Sequence, residues 1–232
     1  MYLLTETASP FALERWAAFF ANFGQFAKGF LYTLGISIGA LIVALLLGLI
    51  FGAMSSTHNK VLRGISRVYV EIFQNTPLLV QFVVVFYGIS ILTDGNVMIP
   101  TSLTAILCVG VYTGAYISEI IRTGIEAVPK GQTEAALSQG FTYADTMRII
   151  ILPQAVRTIL PPLTNQVVNL IKNTSTVAII SGADIMFTAK AWAYDTTNYV
   201  PAFAGAAFLY FIMCFPLATW ARRKEEQNKK AY

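Results

Sequence analysis

Residues Gly29 to Thr57 read GFLYTLGISIGALIVALLLGLIFGAMSST, a run without one Asp, Glu, Lys or Arg. A helix needs about 20 apolar residues to cross a hydrocarbon core of roughly 30 Å, so this run is long enough to span a membrane. Three more windows carry no charge: Ile72 to Thr93, Gly95 to Ser118 and Thr196 to Ala221. A further window, Thr158 to Ala183, is interrupted only by Lys172, and its Pro161-Pro162 pair predicts a helix that begins at or just after the prolines. The expectation is five spanning helices and an all-α integral membrane fold. A β-barrel is rejected, because its strands of about ten residues alternate between lipid-facing and lumen-facing side chains.

Composition agrees. The chain is 56% hydrophobic and 12% charged, with a mean hydropathy of +0.61, whereas soluble domains carry roughly 25% charged residues. The balance of 16 Lys+Arg against 12 Asp+Glu gives +4, but the positive charge sits in short clusters between apolar runs and forms no face for a nucleic acid. Those clusters set the orientation, since short cytoplasmic loops are rich in Lys and Arg. Lys60, Arg63 and Arg67 follow the first window; Arg122, Lys130, Arg148 and Arg157 follow the third; Arg222, Arg223, Lys224, Lys229 and Lys230 follow the last. The opposite side receives only Arg15, Lys28 and Lys190. The N-terminus is therefore expected outside and the C-terminus inside.

Ahead of the first window, Phe11, Trp16, Phe19, Phe20, Phe23 and Phe26 recur mostly at helical spacing among polar residues. They predict an interfacial helix on the outer surface within 1–28, with an extension of the first span bent at Gly24 or Gly29 as the alternative. Glu6 and Glu14 precede the first window where a secretory signal would be basic. The five-helix domain is expected over 29–221, followed by a basic cytoplasmic tail, 222–232.

The segment from Arg122 to Arg157 is too long and too patterned for a linker. Glu134-Ala135-Ala136-Leu137 begins a helix, Gly140 stops it, and Thr142-Tyr143-Ala144-Asp145 starts another that runs to Pro153. Two short helices joined at a glycine make a projecting knob suited to docking a soluble partner.

This knob resembles a known pattern. Glu134-Ala135-Ala136, Gly140, Ile150, Leu152 and Pro153 match E-A-A-x3-G-x9-I-x-L-P of the permease subunits of ABC importers, where the loop seats in a cleft of the ATPase subunit. Asn75-Thr76-Pro77-Leu78-Leu79-Val80-Gln81, Ala115 to Arg122 and Leu170 to Ser175 resemble the branch for polar amino acids, the histidine, glutamate, glutamine, arginine and opine group. The resemblance runs from about Phe26 to Arg223. It implies a type I importer-like fold with a cytoplasmic coupling helix, in the inner membrane of a bacterium. It also implies a second permease subunit, identical or related, ATPase subunits that carry ATP and Mg, and an extracytoplasmic binding protein for an amino acid. Gln74 departs from the branch, which often has Arg there.

Polar residues within the apolar windows are costly and need an account. Glu71 stands four residues after Arg67, an ordinary i,i+4 pair. Glu119 can pair with Arg122, or it can share a face with Tyr112 and Tyr116 and hold an ammonium through one charge and two rings. The resemblance places the acidic residue of this motif along the substrate path. Asn165, Asn169 and Lys172 or Asn173 form a polar stripe that either glues helices or receives a carboxylate. Pro77 breaks its helix, frees the carbonyl of Phe73 and leaves Thr76 and Gln81 room to face a cavity. Together these faces suit a zwitterion.

Other chemistry lacks its parts. The sequence has no G-x-x-x-x-G-K-[ST], nor even a Gly-Lys dipeptide, so ATP hydrolysis falls to another chain. His58, the one histidine, sits in a basic loop without metal-ligand spacing, and Cys108 and Cys214 lie within apolar runs as packing residues. An intramembrane enzyme using Glu71 or Glu119, or a passive channel, is the competing reading. Neither needs a docking knob.

Overall fold

The computed structural model describes Ser9 and residues 11–230, the side chains of 224, 225 and 227–230 excepted. Residues 1–8 and 10 of the expected outer segment and 231–232 of the basic tail lie outside the described residues, and Lys224, Lys229 and Lys230 are described in their backbone alone. In chain order the elements are α1 (Leu13–Ala21), α2 (Phe23–Ser55), α3 (Lys60–Gln74), α4 (Leu78–Val83), a π-helical segment (Val84–Gly88), α5 (Ile89–Leu92) and α6 (Thr101–Glu126). Then come α7 (Lys130–Ser138), α8 (Tyr143–Asp145), a second π-helical segment (Thr146–Ile151), α9 (Leu152–Asn173), a 3-10 helix (Thr174–Ile180), α10 (Ile185–Thr196) and α11 (Tyr199–Lys230). No strand occurs among the described residues.

Three helices are long and apolar enough to cross a membrane: Phe23–Ser55, Thr101–Glu126 and Tyr199–Arg223. A fourth is added if Lys60–Gln74 and Leu78–Leu92, bent by 96° at the break, count as one span. The expected span at 158–183 corresponds to α9 and its 3-10 extension, which carry Lys172 and three asparagines. The first helical boundary falls at Asn22, so residues 23–28 continue into α2 rather than belonging to the outer helix.

Lipid is as apolar as leucine, so helices in a membrane associate through close packing rather than expulsion of apolar surface. Along α2, Ala40, Ala44, Gly48 and Gly52 recur every fourth residue and are buried. This stripe of small residues lies against α6. A Cβ on Gly52 would stand 2.8 Å from Cβ of Ile121, a separation that only the missing side chain permits. A first core joins Ile36, Phe82, Val109, Ile117, Leu170 and Ile180. A second gathers Phe26, Ile185, Trp192, Leu209 and Met213 around Phe19, and so fastens α1 to the last helices. The Phe19 ring meets Phe26 at 4.8 Å and Trp192 at 6.0 Å, edge to face in both cases. Arg15 completes the attachment, donating from Nη1 to the carbonyl of Thr197 at 2.9 Å and to Oδ1 of Asn198 at 3.2 Å.

Two expectations are corrected. Pro161 and Pro162 do not start the fourth long helix; they lie inside α9, which begins at Leu152. The two rings remove the helical amide donors for the carbonyls of Arg157 and Thr158. Nor does the helix from Thr142 end at Pro153. That proline sits in the first turn of α9, and the chain enters α9 directly from the π-helical segment.

Candidate functional site

The break at Asn75–Pro77 organises the site. Pro77 has no amide hydrogen, so the carbonyl of Phe73 loses its helical donor. Gln81 replaces it: its Nε2 donates to Phe73 O at 3.3 Å, to Thr76 O at 3.1 Å and to Thr76 Oγ1 at 2.9 Å. Thr76 and Gln81 therefore meet each other, and the amide that was expected to face a cavity serves the broken backbone. On the other side of the break Gln74 donates to the carbonyl of Ala115 at 3.2 Å. Tyr69 donates to that of Val111 at 2.7 Å. These two bonds tie α3 to the middle of α6.

Between the end of α2, the polar face of α3 and the C-terminal half of α6 lies a cleft of about 840 Å³. Glu71, Gln74 and Asn75 line one wall, and Glu119, Arg122 and Glu126 line the other. The expected pairing of Arg122 and Glu119 is present and bidentate, Nε donating to Oε2 at 2.9 Å and Nη2 to Oε1. Arg122 also donates from Nη1 to Glu126, so one guanidinium bridges two carboxylates two turns apart. Arg67 and Glu71 approach at 3.7 Å with both side chains mostly exposed, a weak pair. Each oxygen of Glu119 keeps a lone pair beyond the one Arg122 engages, and the cleft side of the pair presents both signs of charge.

The remaining expected binding residues are not gathered in that cleft. Tyr116 stands one turn before Glu119 on α6, and its hydroxyl lies 3.1 Å from that of Tyr112. Asn165 and Asn169 are exposed and Asn173 half-buried along one side of α9, away from the cores.

The knob expected to dock a soluble partner contains the turn its sequence predicts. Gly140 has φ +87°, a left-handed conformation that strains any residue with a Cβ. It closes α7 in a Schellman motif: the Phe141 amide donates to Ala136 O at 3.1 Å and the Gly140 amide to Leu137 O at 3.0 Å. Thr142 then caps α8, its Oγ1 accepting from the amide of Asp145 at 3.2 Å. Glu134 and Ala135 are exposed while Ala136 is buried, so α7 presents one face outward and rests the other on the chain behind it. Pro153 follows at the foot of the knob, in the first turn of α9.

Two features escape a reading of the sequence. His58, which the sequence places in a basic loop without metal-ligand spacing, meets Tyr143 of the knob edge to face at 4.9 Å and so connects the α2–α3 loop to α8. Asp184, with no exposed surface, caps α10 by accepting from the amides of Met186 and Phe187 at 3.1 and 3.0 Å, and Tyr210 of α11 donates to it at 3.1 Å. Beside it the Ile185 amide donates to Oγ1 of Thr33 on α2 at 3.1 Å. Asp184 stands immediately before an apolar stretch, a capping signal that periodicity alone does not weigh.

Comparison with known proteins adds a second line of support. Residues 44–225 match the family described as binding-protein-dependent transport system inner membrane component. The chain is 36% identical over 213 residues, 92% of its own length and 97% of the relative's, to the probable glutamine ABC transporter permease protein GlnM of Bacillus subtilis. To the glutamate/aspartate import permease protein GltJ of Escherichia coli K12 it is 33% identical over 208 residues, 82% of this chain and 85% of that one. Among solved structures, a crystal structure of an amino acid ABC transporter with histidines superposes with a TM-score of 0.84 at 31% identity, covering 91% of this chain and 98% of that chain.

Proposed function

The chain belongs to the binding-protein-dependent transport system inner membrane component family, as the permease subunit of an amino acid ABC importer, and from that premise we propose how it works. It forms, with a second permease copy or a related subunit, the pathway for a polar amino acid such as the glutamine or glutamate of its relatives' names. ATPase subunits, which bind ATP and Mg, dock on Glu134, Ala135, Ala136, Gly140 and Pro153. A binding protein delivers the substrate on the outer side of a bacterial inner membrane, crossed five times with the N-terminus outside.

The observation that carries this reading is continuity. From Tyr143 the chain passes through α8 and the π-helical segment into α9 without an intervening loop, and only the short turn at Gly140 separates α7 from it, so the proposed docking surface and the stripe of Asn165, Asn169 and Asn173 lie on one connected stretch of chain. A displacement of the knob is carried to a polar face in the membrane. The Glu119 and Arg122 pair presents opposite charges to the cleft, which suits the ammonium and carboxylate of a zwitterion. Tyr116, Thr76 and Gln81 stand as neighbours of that path.

The test is uptake into proteoliposomes holding the permease with its ATPase and binding protein. Labelled glutamine or glutamate should accumulate only with internal ATP. Flux that runs down its gradient equally well without ATP establishes a channel instead.

A further inference from the structure

The knob is small for the work assigned to it. α7 contributes 9 residues and α8 contributes 3, with Ala136 turned inward, whereas a stable protein–protein interface takes about 20–30 residues from each side. A partner seated on the knob therefore reaches further, and what adjoins the knob is the α2–α3 loop, residues 56–59. The exposed His58 of that loop meets the exposed Tyr143 of α8 at 4.9 Å. The two surfaces are continuous.

Beyond the loop the surface is cationic. Asn59 caps α3, its Oδ1 accepting from the amides of Val61 and Leu62 at 2.9 and 3.3 Å, so those two helix-end donors are already engaged and the side chains supply the charge. Lys60 opens α3 and Arg63 follows one turn later, both exposed. Arg67 and Arg122 are committed to Glu71, Glu119 and Glu126, but Lys60 and Arg63 pair with no carboxylate among the described residues. We propose that the ATPase subunit docked on the knob also covers the α2–α3 loop, and that acidic side chains of the ATPase pair with Lys60 and Arg63. This rests on the docking role of the knob and goes beyond it, since residues 56–63 lie outside the E-A-A to L-P pattern that marks the knob. α3 forms one wall of the cleft. One rigid partner then holds that wall as well as the knob, and its movement bears on both.

The experiment treats the purified permease–ATPase complex with a zero-length carbodiimide, which joins lysines to carboxylates in contact with them, and identifies the joined peptides by mass spectrometry. Lys60 should be joined to an Asp or Glu of the ATPase. Dilution of the same complex, followed by mass photometry, gives its Kd. Lys60→Gln/Arg63→Gln should raise that Kd roughly 2- to 30-fold, the weight of two exposed ion pairs, and should remove most of its dependence on salt. Lys60→Arg should keep the parental Kd. A variant that merely misfolds loses affinity at every salt concentration alike, and the cross-link on the parental protein needs no variant. Absence of any peptide joining Lys60 to the ATPase, or a parental Kd at low salt in the double variant, overturns the proposal. So does a double variant with parental Kd that co-purifies with less phosphatidylglycerol, which gives the two cations to the membrane. A photo-crosslinker at Gln132 of α7 reports on the knob separately: capture of the ATPase there without the effects at Lys60 overturns the wider footprint alone, and capture at neither place overturns the docking role with it.

Discussion

Gln81 stands where the amide of residue 77 would have stood: its Nε2 donates to the carbonyl of Phe73, which Pro77 cannot reach as a donor. A side chain eight residues away thus repairs the break that bends α3 from α4. Gln81→Leu should leave that carbonyl and Thr76 without their donor and destabilise the protein by about 1–3 kcal/mol, read as a lower melting temperature of the purified complex. A parental melting temperature combined with a weakened apparent substrate affinity returns the amide to the ligand.

Gly140 has no heavy atom within 4 Å of where a Cβ would stand. The cost of Gly140→Val is therefore conformational rather than steric crowding, about 1–3 kcal/mol for a β-branched residue held at positive φ. The variant should insert and assemble but hydrolyse ATP with little transport. Gly140→Asn, which tolerates the left-handed region, should be milder. Parental coupling in Gly140→Val removes the docking role from this turn.

Glu119 and Arg122 are each about a third exposed in their side chains, 38% and 31%. As a structural pair they contribute little, about 0.2–1 kcal/mol. If Glu119 also holds the substrate ammonium, Glu119→Gln should weaken apparent affinity by about 10- to 150-fold, the weight of a charge-assisted hydrogen bond, while the melting temperature barely moves. A purely structural pair predicts the reverse: unchanged affinity, and a small loss of stability recovered in Glu119→Gln/Arg122→Gln.

Asp184 joins the start of α10 to α11. Asp184→Ala removes a cap, a loss of about 0.5–2 kcal/mol, and also leaves Tyr210 without its acceptor, so its effect should exceed that of Tyr210→Phe. The two substitutions should be non-additive when combined, because both cut the same bond. Additive shifts in melting temperature show that Tyr210 and Asp184 act separately.

Single cysteines at Asn96 or Gln132, in a background lacking Cys108 and Cys214, test the orientation that the basic residues imply. Intact cells should react with an impermeant thiol reagent only through position 96. Reaction at position 132 inverts the topology.

Some of this molecule is legible in its letters. The uncharged runs of α2, α6 and α11 announce themselves because lipid admits no alternative, and Gly140 marks a turn because few residues adopt its φ. Two local signals misled: Pro161-Pro162 looks like a start in isolation, yet tertiary context carries a helix through it, and Pro153 looks like a stop but opens α9. The site was less legible. Glu119, Gln74 and Asn75 share a wall-to-wall cleft only because the break at Pro77 swings α3 across α6, a 96° turn that periodicity cannot count. Gln81 was visible as a polar residue after a proline, but its service to Phe73 depends on where the broken ends come to rest.

The attachment of α1 has a consequence in time. Arg15 finds its acceptors at Thr197 and Asn198, 182 and 183 positions later. At a synthesis rate of about 5–20 residues per second, some 10 to 40 seconds separate their emergence from the ribosome. For that interval the aromatic face around Phe19 has no Trp192 to rest on. The attachment of α1 cannot close until the chain beyond Trp192 has emerged, and an N-terminal segment that can wait at the membrane surface without aggregating is what such an order of synthesis demands.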